Sequence, residues 1–113
     1  MAIRRREAGS AVVLYPIGSF FGDRETEELQ RAILEEAAAG NRRLLLNLGE
    51  CQSLNSIAVG ALMRGYANYR GRAGEIKLCC LSKRVRDLLT LTKLIMVFDH
   101  HETEELAIEA FGG

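Results

Sequence analysis

The apolar run Leu44-Leu45-Leu46-Asn47-Leu48 and the stretch after it, SLNSIAVGAL from Ser53 to Leu62, constrain this chain more than any other feature. The first reads as a buried strand. The second opens a helix that continues from Met63 to Arg72, so Asn55 and Ser56 sit where a strand hands over to a helix. Asn and Ser are favoured there because their side chains accept the unpaired amide hydrogens of a first helical turn. The same amides, with the positive end of the helix dipole, would stabilise a phosphate on that serine. Two readings attach to Asn55-Ser56: a helix cap and nothing more, or a cap beside a modifiable hydroxyl.

Around this junction strands and helices alternate. Ala11 to Ile17 is rich in strand formers and pairs with a short strand near Ala2 to Arg6 across the Ala8-Gly9-Ser10 turn. Pro16 lacks a backbone donor, which places it at an edge or a strand end. Asp23 or a neighbour caps a helix over Glu25 to Ala39. Leu29, Ile33, Leu34 and Ala37 form its apolar face, with Glu27, Glu28, Arg31, Glu35 and Glu36 opposite, and Gly40 ends it. Arg43 to Leu48 is the central strand, the Ser56 helix follows, and Glu75 to Leu81 is the next strand. Ser82 caps a helix over Lys83 to Leu91. Ile95 to Phe98 reads as a short last strand, and Asp99 with Glu102 has capping-box spacing for a final helix carrying Leu106, Ala107, Ala110 and Phe111. The pattern predicts one domain over residues 1–113, an α/β fold with helices against a mixed or parallel sheet. Ile57, Val59, Leu62, Leu88 and Leu89 are expected in its core.

Composition and motifs exclude several functions. Fifteen basic residues balance fifteen acidic ones, without the basic excess that phosphate neutralisation demands, so nucleic acid is not the expected partner. The one basic run, Arg4-Arg5-Arg6, reads as a solvated edge. No apolar run is long enough to cross a bilayer, and the start of the chain lacks a signal peptide's apolar core, which predicts a cytoplasmic protein without membrane insertion. Cys51, Cys79 and Cys80 lack metal-ligand spacing and read as structural, with Cys79 and Cys80 on opposite faces of a strand. The neighbours His100 and His101 lack a second ligand pair, so no metal is expected. No phosphate loop, dinucleotide turn or catalytic triad can be read, and Gly60 and Gly65 inside the helix suggest close packing against the sheet. The chain is expected to be no enzyme and to need no cofactor. A catalytic alternative would need a nucleophile such as Cys51.

With these residues in view, the chain resembles a STAS domain, the family named after sulphate transporters and anti-sigma factor antagonists. The likeness runs from the Gly18 region to Phe111. SLNSIAVGAL is similar to the family's D-S-[ST]-G-[LV]-[GA]-x-L segment, and Gly74 to Leu78 to the strand after its helix. Val85 to Leu94 matches V-x-x-x-L-x-L-T-G-L, and Glu104-Glu105-Leu106-Ala107 the closing helix. The resemblance implies a four- to five-stranded mixed sheet with helices mainly on one side. It also implies a regulator that, unphosphorylated, binds an anti-sigma serine kinase and releases it on phosphorylation. Aligning Gly60-Ala61-Leu62 with the end of the motif puts Ser56 on the phosphoacceptor.

The chain departs from the pattern at defined positions. Asn55 stands for the aspartate before the serine, Ile57 for the second hydroxyl residue and Ala58 for glycine. Asn47 stands for an aspartate at the strand end, Gly18-Ser19-Phe20-Phe21 lacks the turn aspartate, and Lys93 replaces the glycine of T-G-L. Fewer carboxylates near Ser56 would alter the docking of a kinase. A partner surface is expected at Asn55, Ser56 and Ile57 with the turn from Ser19 to Asp23, where Phe20 and Phe21 are an unusually apolar pair; the other reading has both rings in the core. The alternative function is a STAS scaffold or accessory subunit of a stressosome-like or membrane-transport complex, without a switch at Ser56. Homo-oligomer formation is left open.

Overall fold

The computed structural model describes residues 3–112. Its strands are β1 (Ile3–Ala8), β2 (Ala11–Pro16), β3 (Gly18–Phe20), β4 (Arg43–Asn47), β5 (Cys51–Leu54), β6 (Glu75–Cys79) and β7 (Asp99–His101). Its helices are α1 (Arg24–Ala38), α2 (Ser56–Gly71), α3 (Lys83–Leu91) and α4 (Glu104–Ala110), with a 3-10 turn at Leu94–Met96. Five strands form a mixed sheet in the order β1-β2-β4-β6-β7. The β1–β2 hairpin is antiparallel, with Ile3 opposite Pro16 and Ala8 opposite Ala11. The other ladders are parallel, and Leu44, Leu45 and Leu46 lie between Val12-Val13-Leu14 and Ile76-Lys77-Leu78.

A leucine run in a strand flanked on both sides must be covered on both faces. Leu44 and Leu46 turn to the larger core with Val12, Leu14 and Leu78, where α1, α2 and α3 contribute Leu29, Ile33, Leu62, Val85 and Leu89. Leu45 turns to a smaller one with Ala11, Val13 and Cys79, closed by Ala107 and Phe111 at α4. The helices therefore lie mainly on one side, three against one. Val59 and Leu62 are buried and Leu88 packs against the core, as expected; Ile57 is not in it, being 56% exposed.

Several local expectations are corrected. Ile95 to Phe98 is not a strand: the apolar stretch coils into the 3-10 turn and sends Phe98 inward, while the polar Asp99-His100-His101 pairs with β6. The final helix is capped by Thr103, whose Oγ1 accepts from Leu106 N at 3.1 Å, so the Asp99/Glu102 box does not form. Asp23 stands at the start of α1 without a side-chain cap bond. Glu36 is buried rather than on the polar face, because Arg5 Nε (2.6 Å) and Asn41 Nδ2 (2.7 Å) satisfy its carboxylate. Cys80 lies beyond β6 with φ 63°, and that turn brings it beside the same small core as Cys79 instead of the opposite face. Gly65 packs tightly, but against α1: a Cβ there would lie 2.7 Å from Ile33 Cγ2. Gly60 does not pack against the sheet: a Cβ there would meet the end of the Arg64 side chain, Nη1 at 3.5 Å, an ordinary contact. Ala2, where the first strand was expected to begin, lies outside the described residues.

The basic run lies exposed on the edge strand, as expected, and each of its arginines is paired. Arg4 meets Glu50 at 3.2 Å, Arg5 meets Glu36, and Arg6 meets Glu104 and donates to Tyr15 Oη at 3.0 Å. Alternation along β1 sends Arg5 towards α1 and Arg6 towards α4, so one edge strand ties both helix layers to the sheet.

Candidate functional site at the start of α2

Strand β5, which pairs with β3 in a two-stranded sheet apart from the main one, delivers the chain at Leu54 to a helix start that is wired by one residue. Asn55 is the N-cap of α2, in extended conformation, and its Oδ1 accepts from Ile57 N and Ala58 N, both at 3.1 Å. Those are two of the four donors an α-helix leaves unpaired at its start. Asn55 Nδ2 donates to Phe21 O at 2.8 Å, and Asn55 N donates to Phe20 O at 3.1 Å. Asn55 thus joins α2 to the 20–22 loop through every polar group of its side chain.

Ser56 is the first residue of α2 and is exposed, with no side-chain hydrogen bond among the described residues. Its hydroxyl is open to a partner or a modifying group, while the capping work falls to Asn55. No acidic residue lies in the first turn of α2, so the positive end of the helix faces outward without an intramolecular counter-charge in that turn.

Ile57 covers Gly22, where φ is 94° and an added Cβ would sit 2.8 Å from Ile57 Cδ1. Only glycine combines that backbone with that approach. Thr26 Oγ1 accepts from Gly22 N at 2.8 Å and fixes the loop from the α1 side. Sequence reasoning missed Gly22 and Thr26; the glycine between Phe21 and Asp23 was the available signal.

The paired aromatics part company. Phe20 ends β3 and is fully buried, whereas Phe21 is 51% exposed. The cause is the short parallel pairing of β3 with β5, with Ser19 opposite Ser53 and Phe20 opposite Leu54, which turns Phe20 inward and Phe21 out. Phe20 therefore belongs to the core and cannot touch a partner in the folded protein. Asn55, Ser56, Ile57 and Phe21 remain together at the surface.

Asn47 is placed elsewhere. Its Oδ1 accepts from Gly49 N (2.9 Å) and its Nδ2 donates to Glu104 Oε1 (2.8 Å), so it anchors α4. Tyr15 Oη also donates to Glu104 Oε1 at 2.8 Å, and Arg6 reaches Oε2. Burial alone would push the Glu104 carboxyl up, but the bonds from Asn47, Tyr15 and Arg6 outweigh it and hold it below the ordinary 4.5.

Cys51 is buried, and burial pushes its thiol up to about 11. A thiol protonated at neutral pH and enclosed in the core is a poor nucleophile. His100 and His101 lie in β7, and among the described residues no group of three or more His, Cys, Asp or Glu could hold a metal ion. No helix among them is long and apolar enough to cross a membrane.

Comparison with known proteins identifies the family and the fold. The STAS domain family pattern matches residues 2–107. BtrV of Bordetella bronchiseptica, named as a candidate anti-sigma factor antagonist, is 26% identical over 85 residues, 75% of this chain and 73% of BtrV. The crystal structure of TM1081 from Thermotoga maritima, described as a candidate anti-sigma factor antagonist, superposes with a TM-score of 0.88 at 18% identity, covering 96% of this chain and 92% of that one. The anti-sigma factor antagonist SpoIIAA, at 20% identity in each case, matches in its unphosphorylated form (TM-score 0.76, 99% of both chains). Its phosphorylated form, from Bacillus, gives a TM-score of 0.75 over 97% of this chain and 99% of SpoIIAA.

Proposed function

Since this chain belongs to the STAS domain family, we propose that it acts as an anti-sigma factor antagonist: it binds an anti-sigma serine kinase through the start of α2 and is released when Ser56 is phosphorylated. The observation that carries this reading is the exposed, unbonded Ser56 hydroxyl at the first position of α2, beside the exposed apolar residues Ile57 and Phe21. A phosphate on Ser56 would add about −1.5 to −2 charges. The helix N-terminus would accommodate it with about 0.3–1 kcal/mol of local stabilisation, so the fold is kept. SpoIIAA supports this part of the reading, since its two phosphorylation states share one fold with this chain. A partner seated on Ile57 and Phe21 would then have to desolvate a dianion, which is costly unless it supplies a cation opposite. Release needs only that charge at the contact.

The absence of a carboxylate at position 55 and in the first turn of α2 favours one second reading, a STAS scaffold or accessory subunit whose Ser56 is never modified. Incubation with an anti-sigma serine kinase and Mg-ATP, read by peptide mass spectrometry, separates the two. One phosphate on the peptide containing Ser56, absent from Ser56→Ala, is the expected result. An unmodified chain under conditions where the kinase phosphorylates its own antagonist would favour the scaffold.

A further inference from the structure

We propose that Asn55 is a positioning residue for the docking face: its side-chain amide clamps the Phe21 carbonyl, and this clamp, which an ionised aspartate cannot make, holds the 20–22 loop against Ile57. The inference rests on the docking reading above for its consequence in binding.

The argument turns on donors and acceptors. Helix capping needs only an acceptor, and Asn55 Oδ1 supplies it to Ile57 N and Ala58 N. An aspartate would cap equally well, and its charge would suit the helix dipole better. The second bond, Asn55 Nδ2 to Phe21 O at 2.8 Å, needs a donor. A carboxylate offers acceptors only, so aspartate would set an oxygen against the Phe21 carbonyl and repel it.

The clamped loop carries the exposed surface. Phe21 is 51% and Ile57 56% exposed, and Gly22 runs directly under Ile57. Gly22 N is held by Thr26 Oγ1 and Phe21 O by Asn55, so the Phe21–Gly22 peptide unit is fixed from both sides. Releasing one side frees Phe21 and the support of Ile57 together. Asn55 therefore sets the shape that a partner's apolar side chain meets beside Ser56, while leaving the neighbouring helix turn without a negative charge.

The test compares Asn55→Asp, Asn55→Ala and Ile57→Asp with wild type, by amide hydrogen exchange and by capture of an anti-sigma kinase. In Asn55→Asp, exchange at Gly22 should be about fivefold faster, as expected for loss of one neutral hydrogen bond. Exchange at Ile57 and Ala58 should be unchanged, because the cap persists. Asn55→Ala should accelerate all three amides. A helix cap without a clamp would leave Gly22 unmoved in Asn55→Asp, and that result would overturn the proposal. Kinase capture should weaken in both Asn55→Asp and Ile57→Asp. If only Ile57→Asp weakens it, the positioning role is wrong and the docking reading stands; if neither does, the docking reading fails and takes this inference with it.

Discussion

Lys93 adopts φ 65°, the left-handed region, at the entrance to the 3-10 turn, where the family's T-G-L run has glycine. An L-residue there costs roughly 1–2 kcal/mol that glycine avoids. Lys93 is exposed, so Lys93→Gly should raise stability by about 0.5–1 kcal/mol once the greater freedom of unfolded glycine is subtracted. Urea unfolding checks this, and a loss of stability would contradict it. Glu104 gives the pH counterpart. Its folded carboxyl lies below the ordinary value, so its stabilisation is present above about pH 4.5 and is lost as pH falls through the folded value. Glu104→Gln should therefore cost about 1–2 kcal/mol at pH 7, since its partners lose a charged acceptor, and the gap to wild type should close in acid. Legibility at this scale follows locality. The Asn55 cap could be read because capping chemistry lies within three residues. The separation of Phe20 from Phe21 could not, because β5, thirty-odd positions on, decides which ring is buried.

At the scale of elements, α1 and α2 meet where Gly65 admits Ile33. Alanine improves helix propensity by about 1 kcal/mol, yet at Gly65 it would overlap a buried Ile33 methyl, and overpacking of that kind costs about 1–3 kcal/mol. Gly65→Ala should be destabilising and Gly60→Ala, whose Cβ would meet the flexible Arg64 side chain at an ordinary 3.5 Å, stabilising; thermal unfolding of the pair reads the sign directly, and the same sign for both would contradict the packing described. Helices α1, α2 and α3 were legible to within a residue or two because periodicity and stop signals coincide. The stretch Ile95 to Phe98 was not. Its strand propensity is overruled by Lys93, which starts a tight turn, and by β6, whose free edge takes up the polar residues that follow. The pairing of β3 with β5 was likewise invisible, since strands of three and four residues leave no usable alternation.

For the whole molecule, the sheet and its two cores form a rigid support that presents Asn55, Ser56, Ile57 and Phe21 at one edge. The α/β architecture was legible from the alternation of elements, and the family motif brought attention to Ser56; the clamp between Asn55 and the Phe21 loop became visible only once the chain was folded. We propose that residues 1–113 act as one unit in which partner release follows from charge alone, without rearrangement of the sheet. The most direct test is the affinity of an anti-sigma kinase for wild type, Ser56→Ala and Ser56→Asp, each first shown by circular dichroism to be folded. Ser56→Ala should bind like wild type, and Ser56→Asp at least about tenfold more weakly, a loss of about 1.4 kcal/mol from one buried charge. Equal binding by all three folded proteins would contradict the switch and leave Ser56 as an exposed residue at a helix start.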